Sequence, residues 1–260
     1  MEGPRKPGRS PTNRSLERGV ELLRAFRPGS ATLGNTELAE RSGLSKSTVS
    51  RLTQTLVRSG LLQFDGNSRA YRLAPAVLSL AHAMRTGSRV LQLAAPRMRA
   101  LAEAKRINVG LAAPDRDEMV YLESIRYARR AALRHVVSGQ RVPMELTSLG
   151  RAHLATLTEA ELKPLLETFK QRRGRNWPAL VREIGEAGNS VRARGYCAAA
   201  WQPEVVAVAT PLRIGHDIYA LNVSTSTSDP LAATAKTLAG PLLALAAEIR
   251  EAVEDDAFAP

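Results

Sequence analysis

Hydroxyl, amide and guanidinium side chains are spaced for a helix in the stretch SKSTVSRLTQTLVR, residues 45–58. At about 100° per residue, Val49, Leu52 and Leu56 fall on one side, which predicts a face that packs on a core. The opposite side presents basic and uncharged polar side chains without a carboxylate, whereas an ordinary solvated helix mixes acids with bases. The stretch is typical of a helix that binds a polyanion. The alternative is an amphipathic helix on a protein–protein surface.

The individual side chains fit DNA, and they divide by the groups that they can contact. Arg51 pairs well with guanine and Gln54 with adenine, because each presents two hydrogen-bonding groups to one base edge. Ser47 and Thr48 are further candidates for base contacts, while the lysine and the other arginines suit phosphates. The residues that we predict to contact DNA are Ser45, Lys46, Ser47, Thr48, Ser50, Arg51, Gln54, Arg58 and Arg69.

The stretch SLERGVELLRAF predicts a helix ahead of the polar one. Its apolar residues recur at three- and four-residue steps, and the helix ends before the Pro28-Gly29 pair. The periodicity predicts that these residues share one apolar side, and they are Leu16, Val20, Leu23 and Phe26.

A second short helix is predicted over NTELAERSG, residues 35–43. Asn35 or Thr36 is expected to cap its start, and Gly43 to end it in a left-handed conformation. A short turn then leads to the polar helix, for which Ser45 is the predicted N-cap. Two helices joined in this way form a helix-turn-helix, whose second helix fits the major groove.

A β-hairpin is predicted directly after the polar helix, in GLLQFDGNSRAYRLA. Asp65-Gly66-Asn67 form its turn, and Tyr71 and Leu73 mark the second strand. A hairpin in this place is a wing. Arg69, at or near its tip, is expected to reach a phosphate or the minor groove.

The charge balance also favours a polyanionic partner. The 260-residue chain holds 37 lysines and arginines against 25 acids, which gives a formal net charge of +12 and a pI near 10.6. Residues 1–75 hold 13 of these bases and six of the acids, so over half of the surplus lies in under a third of the chain. Nucleic acid is favoured over an anionic membrane surface, and simple solubility is the alternative explanation.

Other features bound the class of protein. A hydrophobic fraction of 44% is ordinary for folded domains, and the one cysteine, Cys197, excludes an internal disulfide and a multi-thiolate metal site. The sequence has no apolar run of about 18 residues, so we expect a cytoplasmic protein that is not associated with a membrane. Residues 1–14 are proline- and arginine-rich, and predict a disordered basic tail that either touches DNA phosphates or is inert.

Two separate motifs resemble one known family. TELAERSGLSKSTVSRLTQTLVRSGLLQFDGNSRAYRLAPAVLSLA, residues 36–81, is similar to the winged helix-turn-helix of the IclR family of bacterial transcription regulators. Downstream, SGQRVPMELTSLGRAHLATLTEAEL, residues 138–162, resembles the effector-domain signature of that family, with a basic residue and Val-Pro ahead of a Gly-Arg pair. The resemblance covers nearly all of the chain after residue 14.

The chain is therefore expected to be α+β. We predict a winged helix-turn-helix over residues 15–75, a linker helix over 76–89, and an effector-binding and oligomerisation domain over 90–254. In that domain an antiparallel sheet is flanked by helices, and the resemblance implies a GAF/profilin-like fold. Predicted elements are a helix with Pro96 as a start or kink, a hairpin that turns at Pro114-Asp115, strands in AALRHVV, EVVAVATPL and IYALNVSTS, and a helix from Asp229 to about Val253.

The resemblance also implies a site for a small effector, between the sheet and the helix after the Val-Pro motif. Asn222 and Ser224 alternate to one face of a strand and offer hydrogen bonds, and Gly150 allows a ligand to approach a backbone N–H. Carried over by position, the predicted effector contacts are Met144, Leu149, Gly150, Asn222 and Ser224, and the alternative is that these are ordinary core and strand positions. Apart from the resemblance, we expect Arg134 or His135 to be the partner of an anionic group of the effector.

One segment departs from the family. Many members have an acidic run after the Gly-Tyr pair, but here the sequence is CAAAWQPEV, and only Glu204 remains. The stretch from Ala198 to Trp201 suits a bulkier, partly apolar molecule. We therefore expect a moderately hydrophobic effector such as an aromatic carboxylate.

Catalysis has little support in the sequence. It has no nucleophile elbow, phosphate loop, dinucleotide fingerprint or paired-histidine motif, and its four histidines are scattered. We predict a regulator without enzyme activity, cofactor or metal, which binds a pseudo-palindromic DNA operator as a homodimer or homotetramer. The alternatives are a non-specific architectural nucleic-acid-binding protein and an enzyme with a DNA-binding head.

Overall fold

The computed structural model describes residues 13–127 and 137–257. By its contacts the chain divides after Met84 into two compact units. The predicted N-terminal tail lies outside the described residues except at its end. There Asn13 caps the first helix by accepting hydrogen bonds from the N–H groups of Ser15 and Leu16, so the helix starts at Arg14 rather than after it.

The first unit is a winged helix-turn-helix. Its three strands form an antiparallel sheet in the order β1-β3-β2, and the β2–β3 hairpin is the predicted wing. The linker helix α4 follows the hairpin and has no buried residue. The elements are α1 (Arg14–Arg24), β1 (Leu33–Gly34), α2 (Asn35–Ser42), α3 (Lys46–Arg58), β2 (Leu62–Asp65), β3 (Ala70–Leu73) and α4 (Pro75–Thr86).

Packing in this unit corrects two predictions. The core is formed by Leu22 of α1 and by Phe26, which follows the helix, whereas Leu16 is 66% exposed and Val20 is also exposed. The apolar repeat therefore covers two surfaces of the helix, of which only one is in the core. The start of α2 also differs, because the N-cap is Gly34, which makes no side-chain cap. Its end is as predicted, since Gly43 has a left-handed φ of 69°.

The second unit is built on a six-stranded antiparallel sheet in the order β6-β5-β4-β9-β8-β7. Its helices and strands are α5 (Arg89–Lys105), β4 (Asn108–Asp115), β5 (Glu118–Ile125), β6 (Arg141–Pro143), α6 (Ser148–Leu154), α7 (Glu159–Arg173), a 3-10 turn (Gly174–Asn176), α8 (Trp177–Arg194), β7 (Cys197–Gln202), β8 (Val205–Ile214), β9 (Asp217–Ser226) and α9 (Leu231–Ala257).

Helices cover both faces of this sheet. Helices α5 and α9 pack on one face, around Leu111, Leu221 and Leu242. Helices α6, α7 and α8 pack on the other, around Leu149 and Phe169. The antiparallel sheet flanked by helices is the predicted α+β arrangement, and it leaves the space between β5, β9 and α6 for a site.

Several details of the second unit differ from the sequence predictions. Helix α5 begins at Arg89 with Ser88 as its N-cap, so Pro96 lies inside the helix rather than at its start. The β4–β5 hairpin turns at Arg116-Asp117, two residues later than the predicted Pro114-Asp115, with Arg116 at a φ of 59°. Strands β6 and β7 were not predicted. The strand expected in AALRHVV lies outside the described residues except for Val137.

Candidate functional site

The exposed face of α3 carries the predicted DNA contacts. Val49, Thr53 and Leu56 are buried against the core of the unit, which turns the opposite side of the helix to solvent. Thr53 was not part of the predicted core, but its hydroxyl donates to the carbonyl of Val49 at 2.9 Å and is thereby satisfied. The exposed side chains of this face are Lys46, Ser47, Arg51, Gln54 and Arg58, and Thr48 and Ser50 are half-buried beside them.

The long side chains of this face have no partner among the residues that the structure describes. Lys46, Arg51, Gln54 and Arg58 make no side-chain hydrogen bond or ion pair with any residue that the structure describes. Helix α3 also has no acid in its first turn. The positive end of the helix dipole and the free cations therefore face solvent together.

Hydroxyl groups cluster at the start of α3. Ser45 is the N-cap, and its Oγ accepts a hydrogen bond from the N–H of Thr48 at 3.3 Å. The same Oγ lies 3.1 Å from Ser47 Oγ and 2.9 Å from Thr48 Oγ1. Ser45 thus has a structural role that holds two predicted contact residues in place.

The wing places Arg69 in an uncommon backbone conformation. Its φ is 51°, in the left-handed region that glycine and asparagine prefer, and its side chain is exposed without a partner in the described chain. The turn before it is ordered by Asp65, which accepts from Ser68 Oγ at 2.7 Å and from the N–H of Asn67 at 3.0 Å. These hydrogen bonds lower the pKa of Asp65.

A second candidate site is a cavity of about 40 Å³ in the second unit. It lies between β5, β9 and the start of α6, on the sheet face that α6–α8 cover. One part of its wall is apolar, with Val142, Leu149 and Trp201, and the other part is polar. This volume holds only a few water molecules, so an aromatic ligand requires a side chain such as Trp201 to move.

The polar wall contains groups that are buried and only partly hydrogen-bonded. Asn222, Ser224 and Ser148 are all less than 9% exposed. The hydroxyl of Ser148 is buried without a hydrogen-bond partner among the described atoms. A buried hydroxyl without a partner is costly, which indicates that this wall is suited to a polar ligand or water.

Gly110 brings two members of this wall together. A side chain at this position of β4 would place its Cβ 2.5 Å from the Tyr121 ring and 2.6 Å from Asn222 Oδ1. Without a Cβ, Tyr121 and Asn222 can approach each other and hydrogen-bond. Burial raises the pKa of Tyr121 to about 12, against the opposing effects of Asn222 and Arg126, so its hydroxyl stays protonated.

The structure separates the predicted effector residues. Leu149, Asn222 and Ser224 line the cavity. Met144 and Gly150 do not, and the reason given for Gly150 is wrong. Its N–H donates to Thr147 Oγ1 at 3.2 Å, and a Cβ would meet the Met144 backbone at 2.1 Å, so the glycine is required by packing.

The prediction of the cavity wall was incomplete in two respects. Arg134 and His135 lie outside the described residues. Tyr121, Arg126 and Ser148 line the cavity but were not predicted. The available signal for Ser148 was its position next to the predicted contact Leu149, at the start of the helix after the Val-Pro motif.

The arginine of the Gly-Arg pair has a structural role. Arg151 donates from Nε to the carbonyl oxygen of Glu145 at 3.0 Å and pairs with Glu183 at 2.5 Å. The Glu145 carboxylate is fully buried and is bound by Arg173 at 2.8 Å and Arg172 at 3.5 Å. These contacts fix the loop between β6 and α6, beside the cavity.

Other reactive groups show no catalytic arrangement. The Cys197 thiol donates to the carbonyl of Ser148 at 3.4 Å, and burial raises its pKa to about 12. His153 is buried and its pKa is lowered, mainly by burial. Within residues 13–127 and 137–257, no three acidic, histidine or cysteine side chains are grouped to hold a metal ion. None of the described helices has the length and apolarity to cross a bilayer.

Comparison with known proteins agrees with both units. The model of the IclR helix-turn-helix domain matches residues 15–66, and that of the bacterial transcriptional regulator IclR C-terminal domain matches residues 82–251. The transcriptional regulator TsaQ1/TsaQ2 of Comamonas testosteroni is 34% identical over 70% of this chain. That alignment spans 66% of the relative, about two thirds of its length.

Solved structures give the same result for the fold. The crystal structure of an IclR family transcriptional regulator from Brucella abortus has a TM-score of 0.83 and 34% identity, and the match covers 94% of this chain and 93% of that one. An IclR homologue from Microbacterium hydrocarbonoxydans in complex with 4-hydroxybenzoate has a TM-score of 0.66 and 24% identity, over 91% and 99% of the two chains. With a DNA-reading head and an effector-type body matched in the same order, the chain belongs to the IclR family of bacterial transcriptional regulators.

Proposed function

We propose that this regulator binds a pseudo-palindromic operator as a homodimer or homotetramer, and that a small organic acid in the cavity changes its affinity for that operator. The observation that carries the proposal is the exposed face of α3. Its arginines, lysine and glutamine are unpaired in the described structure, and the helix has no acid. A surface of this composition is complementary to the major groove.

The residues of this face have different tasks in the proposal. Arg51 and Gln54, in the middle of α3, read base edges together with Ser47 and Thr48. Ser50 contributes a further polar contact on the same helix. Lys46 at the helix start and Arg58 at its end bind phosphates, which gives affinity without sequence preference.

The wing adds a contact outside the major groove. Arg69 is exposed at the hairpin turn and has no partner in the described chain. In the proposal its guanidinium binds a phosphate or enters the minor groove next to the site that α3 reads.

Two exposed apolar surfaces of the first unit support self-association. On α1, Leu16 and Val20 are exposed, and on α4, Leu78 is 74% exposed beside the exposed Leu80 and Met84. Large apolar side chains grouped on helices are typical of an interface. A second copy of the chain covers them in the proposal, and the resulting two-fold symmetry presents two α3 helices to two half-sites.

The effector is proposed to bind in the cavity lined by Leu149, Asn222 and Ser224. The M. hydrocarbonoxydans homologue is described as a complex with 4-hydroxybenzoate, which supports an aromatic or carboxylate ligand for this chain. The apolar wall around Trp201 supports the same class. Since the cavity holds about 40 Å³, binding of a ring requires it to widen.

Control of DNA binding follows from differential affinity. A ligand shifts the operator affinity only if it binds the DNA-competent arrangement more or less tightly than the other arrangements. Residues 75–89 connect the two units. In the proposal, effector binding changes the spacing of the two DNA-reading heads of the dimer, and these residues transmit that change. Gly87, between α4 and α5, is the proposed hinge.

The proposal excludes catalysis as the role of the body, and it places the protein in the cytoplasm, where its operator is. The buried Cys197 thiol and the buried His153 support a role without catalysis. The thiol hydrogen-bonds to the Ser148 carbonyl and does not form a nucleophile–base pair with His153. An enzyme with a DNA-binding head predicts instead that the molecule bound by the cavity is converted. Incubation of the protein with its ligand, followed by mass spectrometry, tests this alternative.

The first experiment is selection of bound duplexes from fragmented genomic DNA, followed by titration of the enriched site and of random DNA at several salt concentrations. We expect a two-fold symmetric site that is bound about a thousandfold more tightly than random DNA. Uniform, strongly salt-dependent binding of all duplexes contradicts the proposal and favours the architectural alternative.

A further inference from the structure

We infer that Arg126 is the residue that recognises the effector, by binding its carboxylate, and that the effector is therefore a monocarboxylate. The inference rests on the proposed function of the cavity. Arg126 directly follows β5, it is half-buried, and it lines the cavity together with Tyr121, Ser148 and Asn222. Among the lining residues in the described ranges it is the one cation, and none of those residues is an acid.

Arg126 lacks the partner that other sheltered arginines have. Arg141 binds the carboxylates of Asp115 and Glu118, and Arg151 binds Glu183. Arg126 makes no side-chain hydrogen bond or ion pair with any residue in the described ranges. The neighbouring residues 127–138 contain no aspartate or glutamate in the sequence, so this part of the chain supplies no counter-ion.

An unpaired guanidinium that is partly removed from water is unfavourable for folding. Burial lowers the pKa of Arg126, with the Tyr121 hydroxyl as an opposing neighbour. Such a cost is tolerated when an external anion provides the missing charge and hydrogen bonds. A carboxylate fits the planar fork of the guanidinium, which can donate two parallel hydrogen bonds to it.

The remaining groups of the wall restrict the rest of the ligand. The Tyr121 hydroxyl, the Asn222 amide and the unpartnered Ser148 hydroxyl can hydrogen-bond to a polar substituent. Trp201, Val142 and Leu149 contact an apolar body. Arg126 is the one cation in the part of the wall that the structure describes, and one cation balances one negative charge, which favours a monocarboxylate over a dicarboxylate or a phosphate.

The test uses calorimetry on the full chain with benzoate, 4-hydroxybenzoate and pyruvate, and with benzamide and 4-hydroxybenzamide as neutral counterparts. We expect at least one of the acids to bind, about tenfold or more tightly than its own amide. Pyruvate has no amide in this series, so its affinity is compared with those of both amides. The difference is expected because an amide can form only neutral hydrogen bonds where the carboxylate forms charge-assisted ones. Arg126→Gln is expected to weaken acid binding by about 10–100-fold and to leave amide binding unchanged. Arg126→Lys restores part of the loss, and Arg175→Gln, at an exposed position away from the cavity, changes nothing.

Three outcomes overturn the inference. These are equal affinity of acid and amide, undiminished acid binding by Arg126→Gln, and no binding of any of the three acids up to about 10 mM. Thermal unfolding is expected to show that Arg126→Gln is folded, because removal of an unpaired, half-buried cation does not lower stability. Operator binding by the ligand-free parent chain and by ligand-free Arg126→Gln is measured in parallel. If both bind the operator while none of the three acids binds the parent chain, the DNA-binding proposal stands and only the inference falls.

Discussion

The exposed face of α3 and the wall of the effector cavity both present arginines without a partner, but at different energetic cost. Arg51 and Arg58 extend into water, where an unpaired guanidinium is fully hydrated. Arg126 is half-buried beside the Tyr121 ring, where its solvation is reduced. Because exposed cations stay hydrated, many of them can be grouped on one surface to bind a large polyanion. A partly buried cation is costly, so a cavity wall suits a single cation that binds a ligand with a single negative charge.

The two regions also differ in how tightly the surrounding chain holds them. The contact side chains of α3 project from a helix whose opposite side alone is packed, so that side chains can be changed without disturbing the core. The cavity is bounded by strands and by a loop that Arg151, Arg172 and Arg173 tie to Glu145. Substitutions in the packed loop and strands that frame the cavity, such as Gly150, are therefore expected to affect folding, and substitutions on α3 to affect binding alone.

The largest expected effect is that of Gly150→Ala on stability. The new Cβ would lie 2.1 Å from Met144 Cα and 2.2 Å from its carbonyl oxygen, and neither backbone atom can move without shifting the loop before α6. We expect a loss of about 3 kcal/mol in the free energy of unfolding, measured by urea denaturation.

The matched control for this prediction is Gly185→Ala in α8. A Cβ there has no atom within 4 Å, so alanine is expected to stabilise the helix by about 0.5–1 kcal/mol. If both variants have the stability of the parent chain, the cavity region is not held more tightly than the surface, and the comparison fails.

The next largest effects are expected on α3. Arg51→Ala is predicted to weaken operator binding by about 10–100-fold and binding to random DNA much less, because it removes a base contact. Lys46→Ala is predicted to weaken binding to both DNAs similarly and to reduce the salt slope by about one. Titration of each variant at several salt concentrations measures both quantities, and unfolding curves check that stability is unchanged. Equal losses on both DNAs for Arg51→Ala would assign it to a phosphate instead.

The exposed polar face of α3 could be predicted from sequence because its pattern is local. One helical period determines which side of α3 is packed, and the same stretch contains its cap and the turn before it. The same logic misread α1, since Leu16 and Val20 repeat with helical spacing but are exposed. Periodicity identifies an apolar surface and does not tell whether the chain's own core or another molecule covers it.

The cavity could be predicted only in part, because its wall is assembled by pairing of strands that are distant in sequence. Alternation along β9 correctly placed Asn222 and Ser224 on one face. Tyr121 reaches Asn222 because β4 lies between β5 and β9 and carries Gly110 at the crossing point. No local pattern contains that strand order. The prediction for Gly150 was wrong for a similar reason, since the atoms that require a glycine belong to the loop before α6.

The smallest expected effect concerns Arg69, the wing residue with a left-handed backbone. Arg69→Gly relieves the unfavourable φ of 51° and is expected to raise the free energy of unfolding by about 0.5–1 kcal/mol. It also removes a phosphate or minor-groove contact, so operator affinity is expected to fall by about threefold to tenfold. Arg106→Gly, at a φ of 56° at the end of α5, is the control that relieves similar strain away from the wing. If both variants are stabilised to a similar extent and only Arg69→Gly loses DNA affinity, the role of Arg69 on the wing is DNA binding. Unchanged affinity of Arg69→Gly would remove the wing from the DNA interface and leave α3 as the surface that reads the operator.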